Sequence, residues 1–206
     1  MLTAMARWEG NTRGRLERAA LTLFTEQGYD RTTVAQIAKR ANLTERSFYR
    51  WFADKREVLF AGDDLEARFL AAIDEVPVGT PALPTLLAAF KVAPEVLRPR
   101  DFLHERAAVI AANPPLQERE LIKMAGLSAT IAAALTARGA DEQTALLATD
   151  VGSAVLRLAL RRWMDDDQTP FADLLERGAA DLRAVAADGA IGPPRRISAR
   201  SSASQR

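Results

Sequence analysis

The chain has 206 residues, of which 48% are apolar and 27% charged, a globular composition long enough to bury a sizeable core. It has no cysteine, which excludes disulfides and thiolate chemistry, and its longest uncharged stretch, Val76–Phe90, is broken by Pro77, Pro81 and Pro84, so no run reaches the ~20 apolar residues of a membrane span. The net charge of +1 hides a division: residues 1–60 carry 11 Lys/Arg against 7 Asp/Glu, residues 61–189 carry 13 against 20, and residues 190–206 carry four Arg and no acid. A basic head on an acidic body is what a local anionic target requires. The first ten residues hold no apolar run that could act as a signal peptide, so the expectation is a cytoplasmic protein with no membrane partner.

Helical periodicity runs along the chain and strand alternation is absent. After Asn11 and Thr12, the residues Leu16, Ala19, Ala20, Leu23 and Phe24 form one apolar stripe, and Gly28 supplies the stop. Thr33-x-x-Gln36 reads as a capping box, with Val34, Ile37 and Ala38 on the buried face of the helix it opens. Ala41-Asn42 is a turn, and Thr44 caps a third short helix reaching Arg50. Asp54-x-x-Glu57 is a second capping box, predicted to open a long helix from Asp54 to Glu75. Pro77, Gly79, Pro81 and Pro84 then force a turn. Breaks at Arg98-Pro99, Asn113-Pro114-Pro115, Gly139 and Gln168-Thr169-Pro170 divide the rest into about five more helices, the last two long and amphipathic, which makes about nine in all. Beyond Gly189 the chain is polar and basic, and a disordered tail is expected.

Two short helices, Thr33–Arg40 and Thr44–Arg50, joined by a tight turn read as a helix-turn-helix. Phe48 and Phe52 belong to its core, while Thr44, Glu45, Arg46, Ser47 and Tyr49 lie nearer the outside. A helix N-terminus in a major groove brings short polar side chains to base edges, and its dipole favours phosphate. Arg13 and Arg15 read either as groove or phosphate contacts or as a mobile basic arm.

The run LTLFTEQGYDRTTVAQIAKRANLTERSFYRWFADKREVL resembles the N-terminal domain of the tetracycline-repressor (TetR) family, through LF-x-E-x-GYD, TTV-x-QIA-x-x-A and SFYR-x-F-x-DK over about Arg13 to Leu59. The resemblance implies an all-α fold: a three-helix helix-turn-helix head at residues 10–56, a ligand-binding and dimerisation body at 57–189, and a basic tail at 190–206. It implies a homodimeric transcription regulator, most often a repressor, that binds palindromic operator DNA and is released by a small effector. Carried onto this chain, Thr33 and Lys55 would meet phosphates. Gln36, Thr44, Glu45, Arg46 and Ser47 would face bases or their edges, and Tyr49 and Trp51 would pack on the DNA backbone. Relatives often place a histidine where Trp51 stands. The last two helices would pair with their copies through Val155, Trp163, Leu174, Gly178 and Leu182.

The middle helices would then hold the effector. Candidate lining residues are Phe69, Phe90, Phe102, Met124 and Leu127, a mostly apolar set that fits a lipophilic ligand, although such a stripe is more often plain core. His104, the sole histidine, reads either as a polar pocket group or as a structural residue. Asp165-Asp166-Asp167 reads as a solvated helix end, since consecutive residues do not converge on one ion, and no metal or cofactor is expected. Phosphate-loop, dinucleotide and zinc-protease motifs are missing, and no G-x-S-x-G elbow supports His104 as a catalytic base, so an enzyme is not expected. The alternative function is a DNA-binding activator or scaffold that takes no effector.

Overall fold

A computed structural model describes residues 12–60 and 64–188. No strand occurs among them, and the fold is all-α as the periodicity predicts. The first helix, α1 (Thr12–Gln27), buries Leu16, Ala20, Leu21 and Phe24. It stops at Gly28, whose φ of +89° suits a residue without Cβ and whose amide reaches the Phe24 carbonyl at 3.0 Å. Helix α2 (Val34–Arg40) opens on the expected reciprocal box: Thr33 Oγ1 accepts from the Gln36 amide, and Gln36 Oε1 accepts from the Thr33 amide at 2.8 Å. Asn42, in the left-handed region at φ +55°, turns the chain into α3 (Glu45–Tyr49), where Thr44 Oγ1 accepts from the Ser47 amide at 3.2 Å.

The long helix predicted from Asp54 does not form. Asp54 Oδ1 does accept from the amides of Arg56 and Glu57, at 2.7 and 3.3 Å. Glu57, however, does not reach back to complete the box. Its carboxylate is drawn outward into ion pairs with Arg119 and Lys123, the latter at 3.8 Å. The chain makes only a 3-10 turn, Glu57–Leu59, and α4 runs from Asp64 to Glu75. The rest of the body follows the proline and glycine breaks: α5 (Ala82–Ala89), a 3-10 turn at Phe90–Val92, α6 (Ala93–Val96), α7 (Arg100–Ala111), α8 (Pro114–Ala137), α9 (Glu142–Asp165) and α10 (Phe171–Asp188). Residues 190–206, expected as the tail, lie outside the described residues.

Two apolar cores result. The body core gathers Phe69, Ile73, Leu86, Phe90, Ile131 and Leu135 with the inner faces of α9 and α10. The head core joins Leu16, Phe24, Ile37, Phe48, Phe52 and Val58, but also takes in Phe102, Val109 and Ile110 of α7 and Leu116 of α8. A boundary at residue 56 therefore divides the sequence without dividing the packing, because α7 is shared. Helix α8 contains an 18-residue window of mean hydropathy 1.3, long and apolar enough by length and composition to cross a membrane. Its uncharged run, 124–137, is shorter than Val76–Phe90 because Glu118, Arg119, Glu120 and Lys123 stand in its first half. In this fold α8 packs against α4, α7 and α9.

The residues predicted to pair two copies are used within one chain. Val155 and Leu174 are buried, and a Cβ added to Gly178 would sit 3.1 Å from Val155 Cγ1, so the small residue lets α9 and α10 of the same chain approach closely. Trp163 packs edge-on to Phe171, with ring centroids 6.0 Å apart, and lies under the Arg100 guanidinium; Leu182 is half-buried against the same core. The periodicity identified the apolar faces correctly, but a helix pair must first satisfy its own chain.

Candidate nucleic-acid interface

The head presents α3 on a packed base. Phe48 and Phe52 are buried with centroids 5.1 Å apart and anchor the helix from below. On the other side Thr44, Glu45 and Arg46 are exposed, and Glu45 and Arg46 enter none of the ion pairs among the described residues. Tyr49 is 56% exposed and stands edge-on to Phe48, while Trp51 is 44% exposed beside the Arg50 guanidinium. An exposed, aromatic-bearing helix end next to cations is a costly surface for a solvated face, and it suits the edge of a duplex. Thr33 and Gln36 lie exposed at the start of α2. Part of Gln36 is already committed: its Oε1 accepts from the Thr33 amide and from Gln27 Nε2 at 3.1 Å, which leaves its amide NH2 to face outward. Ser47 is half-buried, and its Oγ lies 3.0 Å from Thr44 Oγ1.

Lys55 is oriented differently from the expectation. Its Nζ donates to the carbonyls of Tyr29 and Thr32 at 2.8 and 3.0 Å and lies 4.1 Å from the Tyr29 ring centre. It ties down the turn between α1 and α2, with one N–H left over. Arg13 and Arg15 are not a loose arm. Arg13 pairs with Glu17 at 3.2 Å, and Arg15 donates to the Ala41 carbonyl at the end of α2. Lys39 and Arg50 are exposed on the same head and were not singled out in the sequence, although both follow the spacing of solvent-facing positions. Asp54 illustrates the local electrostatics: burial alone would raise its pKa, but hydrogen bonds from Arg56 and two backbone amides outweigh that and hold it low.

Of the expected effector residues only Phe69, Phe90 and Leu127 are brought together, in the body core. Phe69 and Phe90 meet at 4.9 Å and are fully buried, filling the middle of the body. Phe102 belongs to the head core, with Arg18 over its ring at 4.9 Å. His104 is exposed, its Nε2 lying 3.1 Å from the Met164 carbonyl and 3.7 Å from Asp165. Met124 is 45% exposed on α8, and Leu127 packs against the body core. Two clefts lie instead at the junction with the head. One, of about 470 Å³, is lined by Trp51, Arg56, Glu57, Arg119 and Ile122 among others, and one of about 380 Å³ by Arg15, Arg18, Arg40, Pro99 and Asp101.

Comparison with known proteins agrees with this geometry. The family model for bacterial regulatory proteins of the tetR family matches residues 17–61, the whole helix-turn-helix, and that for the MftR C-terminal domain matches residues 82–187, over half the chain. The chain belongs to the TetR family. As a TetR-family transcriptional regulator it is similar to TcmR of Streptomyces glaucescens, 42% identical over 81 residues. That match covers 39% of this chain and only 36% of TcmR. Two solved TetR-family structures share the fold. A putative regulator from Syntrophomonas wolfei aligns with a TM-score of 0.56 at 15% identity, over 85% of this chain and 95% of its own. FadR of Thermus thermophilus, a transcriptional repressor solved with lauroyl-CoA, aligns at 0.50 and 24% identity, over 83% and 93%.

Proposed function

We propose that this regulator is a homodimeric repressor whose α3 reads the major groove of a palindromic operator and whose body takes a small, largely apolar effector. The observation that carries the DNA reading is the outer face of the head, where Thr44, Glu45, Arg46 and Tyr49 stand exposed on a helix fixed from below by Phe48. A five-residue helix spans few base pairs, so a second copy extends the site to two half-sites one helical turn apart. With Val155, Leu174 and Gly178 used inside the chain, the pairing surface shifts to the outward faces of α9 and α10. There Leu147 and Val185 are 66% and 72% exposed.

The effector reading draws on the apolar middle of the body and on FadR, whose structure holds an acyl thioester. The full burial of Phe69 and Phe90 favours the alternative of a regulator without an effector, since a ligand there would have to displace one of them. The test is selection of duplexes from a random pool by the full-length protein, with sedimentation of the protein alone. The expected results are an inverted repeat and a dimer at micromolar concentration. Enrichment of a single half-site, or sedimentation as a monomer, would remove the dimeric reading.

A further inference from the structure

The cleft of about 470 Å³ at the junction is walled by the chain just after α3, the turn holding Arg56 and Glu57, and the first half of α8. Two cations of α8 converge in it on one carboxylate. Arg119 pairs with Glu57 Oε1, and Lys123 lies 3.8 Å from Glu57 Oε2. The two cations stand four residues apart, about one helical turn, so both project from the same face of α8. The three side chains are between 19% and 32% exposed, sheltered enough to strengthen the charges and open enough to admit a solute. Apolar surface comes from both sides of the junction: Trp51 of the head, 44% exposed, and Ile122 of α8, 53% exposed, line the same cleft. The other charged groups of the cleft face one another or the head. Asp54 pairs with Arg56 at 2.9 Å, Glu118 acts on that same guanidinium, and Arg13 bonds Glu17.

From this geometry we infer that the junction cleft is the effector site and that its ligand is a small aromatic carboxylate. The ligand's carboxylate takes the place of Glu57 between Arg119 and Lys123, and its flat apolar body lies against Trp51 and Ile122. A guanidinium beside an ammonium meets both oxygens of a carboxylate, and the exposed aromatic and branched side chains gain by covering a ring. Displacing an internal carboxylate ordinarily strands a charge. Glu57 has a second home, because the Asp54-x-x-Glu57 spacing is that of a capping box, in which its carboxylate accepts from the Asp54 amide. Ligand entry therefore cuts the tie between the head and α8 while Glu57 caps its own turn. Phe69 and Phe90 stay in place, so the body core need not open. The ligand also covers Trp51, which the DNA reading sets on the duplex backbone, so ligand and duplex oppose each other.

The inference rests on the reading of an effector-responsive regulator, and its binding arm needs no DNA. Full-length protein is titrated by calorimetry with 2-naphthoate and with the neutral 2-naphthalenemethanol. The acid should bind, and the alcohol at least tenfold more weakly, as for loss of hydrogen bonds between charged groups. Lys123→Gln and Trp51→Ala should each weaken 2-naphthoate by about tenfold. Glu57→Gln, which removes the internal competitor, should tighten it. Equal affinity for acid and alcohol, or no binding of the acid at millimolar concentration, overturns the proposal. Binding that neither Lys123→Gln nor Trp51→Ala alters overturns it as well, since the ligand then lies elsewhere. Weaker binding by a folded Glu57→Gln would overturn the displacement. Should Glu57→Gln fail to fold by circular dichroism, Lys123→Gln and Trp51→Ala, at partly exposed positions, decide. In the second arm, saturating 2-naphthoate should lower wild-type affinity for the selected duplex by about fivefold or more, the low end of allosteric coupling. Duplex affinity unchanged by bound ligand overturns the effector role. Failure to select any duplex would count against the DNA reading, and calorimetry alone then decides the site.

Discussion

Lys55 and Glu17 show how far a residue's role depends on what the fold places against it. In sequence Lys55 is one more cation at the edge of a helix-turn-helix; in the structure its ammonium bonds two carbonyls of the α1–α2 turn. Hydrogen bonds from a charged donor contribute about 1.5–3 kcal/mol each way they are lost. Lys55→Met should therefore lower the stability of the head by about that much in a denaturant melt. An unchanged melt, with the salt slope of DNA binding lowered by about one, would return Lys55 to the phosphates. Glu17 also carries a stability signature. Its carboxyl is raised by burial from 4.5 to about 7. Between those values the unfolded chain has released the proton and the folded chain still holds it, so stability falls as pH rises through the window. Above it the cost is about 3 kcal/mol. Wild type should thus melt lower at pH 8 than at pH 5, and Glu17→Gln should narrow that difference; an equal difference in both would place the carboxyl at its ordinary value. The signal was present in the sequence: Glu17 stands in register with Ala20, Leu21 and Phe24, on the stripe that folds inward.

At the scale of the elements, the contact between α9 and α10 rests on Gly178. Any larger side chain meets Val155, and overpacking of a close contact typically costs about 1–3 kcal/mol. Gly178→Leu should destabilise the body by that amount in thermal unfolding; a neutral result would mean the two helices can separate without loss. The amphipathic pattern of both helices was legible, as were the Gly28 stop, the Thr33 box and the Thr44 cap, because each is a local rule acting within about four residues. What was not legible depended on distant partners. The Asp54 box lost its Glu57 to Arg119, more than sixty residues away, and the predicted long helix was lost with it. Phe102 reads as body from its place in the chain, but α7 folds it under α1. Apolar periodicity says that a face is buried and leaves open which surface buries it, and so Val155 and Leu174 could be taken for a contact between copies.

In the whole molecule a helix-turn-helix head is joined to a helical body by a shared core and by charged ties at Glu17, Arg18, Glu57 and Arg106. Such a junction lets a change in the body reach the head through α7 and the connection before it, with no need for a long continuous helix. On the function proposed, the exposed face of α3 reads DNA. The most direct measurement is an equilibrium titration of the selected duplex with wild type, Arg46→Ala and Tyr49→Ala, beside thermal melts of the same three proteins. Each substitution should cost about 1–3 kcal/mol of specific binding, roughly tenfold or more, with melting unchanged because both side chains are exposed. Wild-type affinity in both variants would contradict that reading.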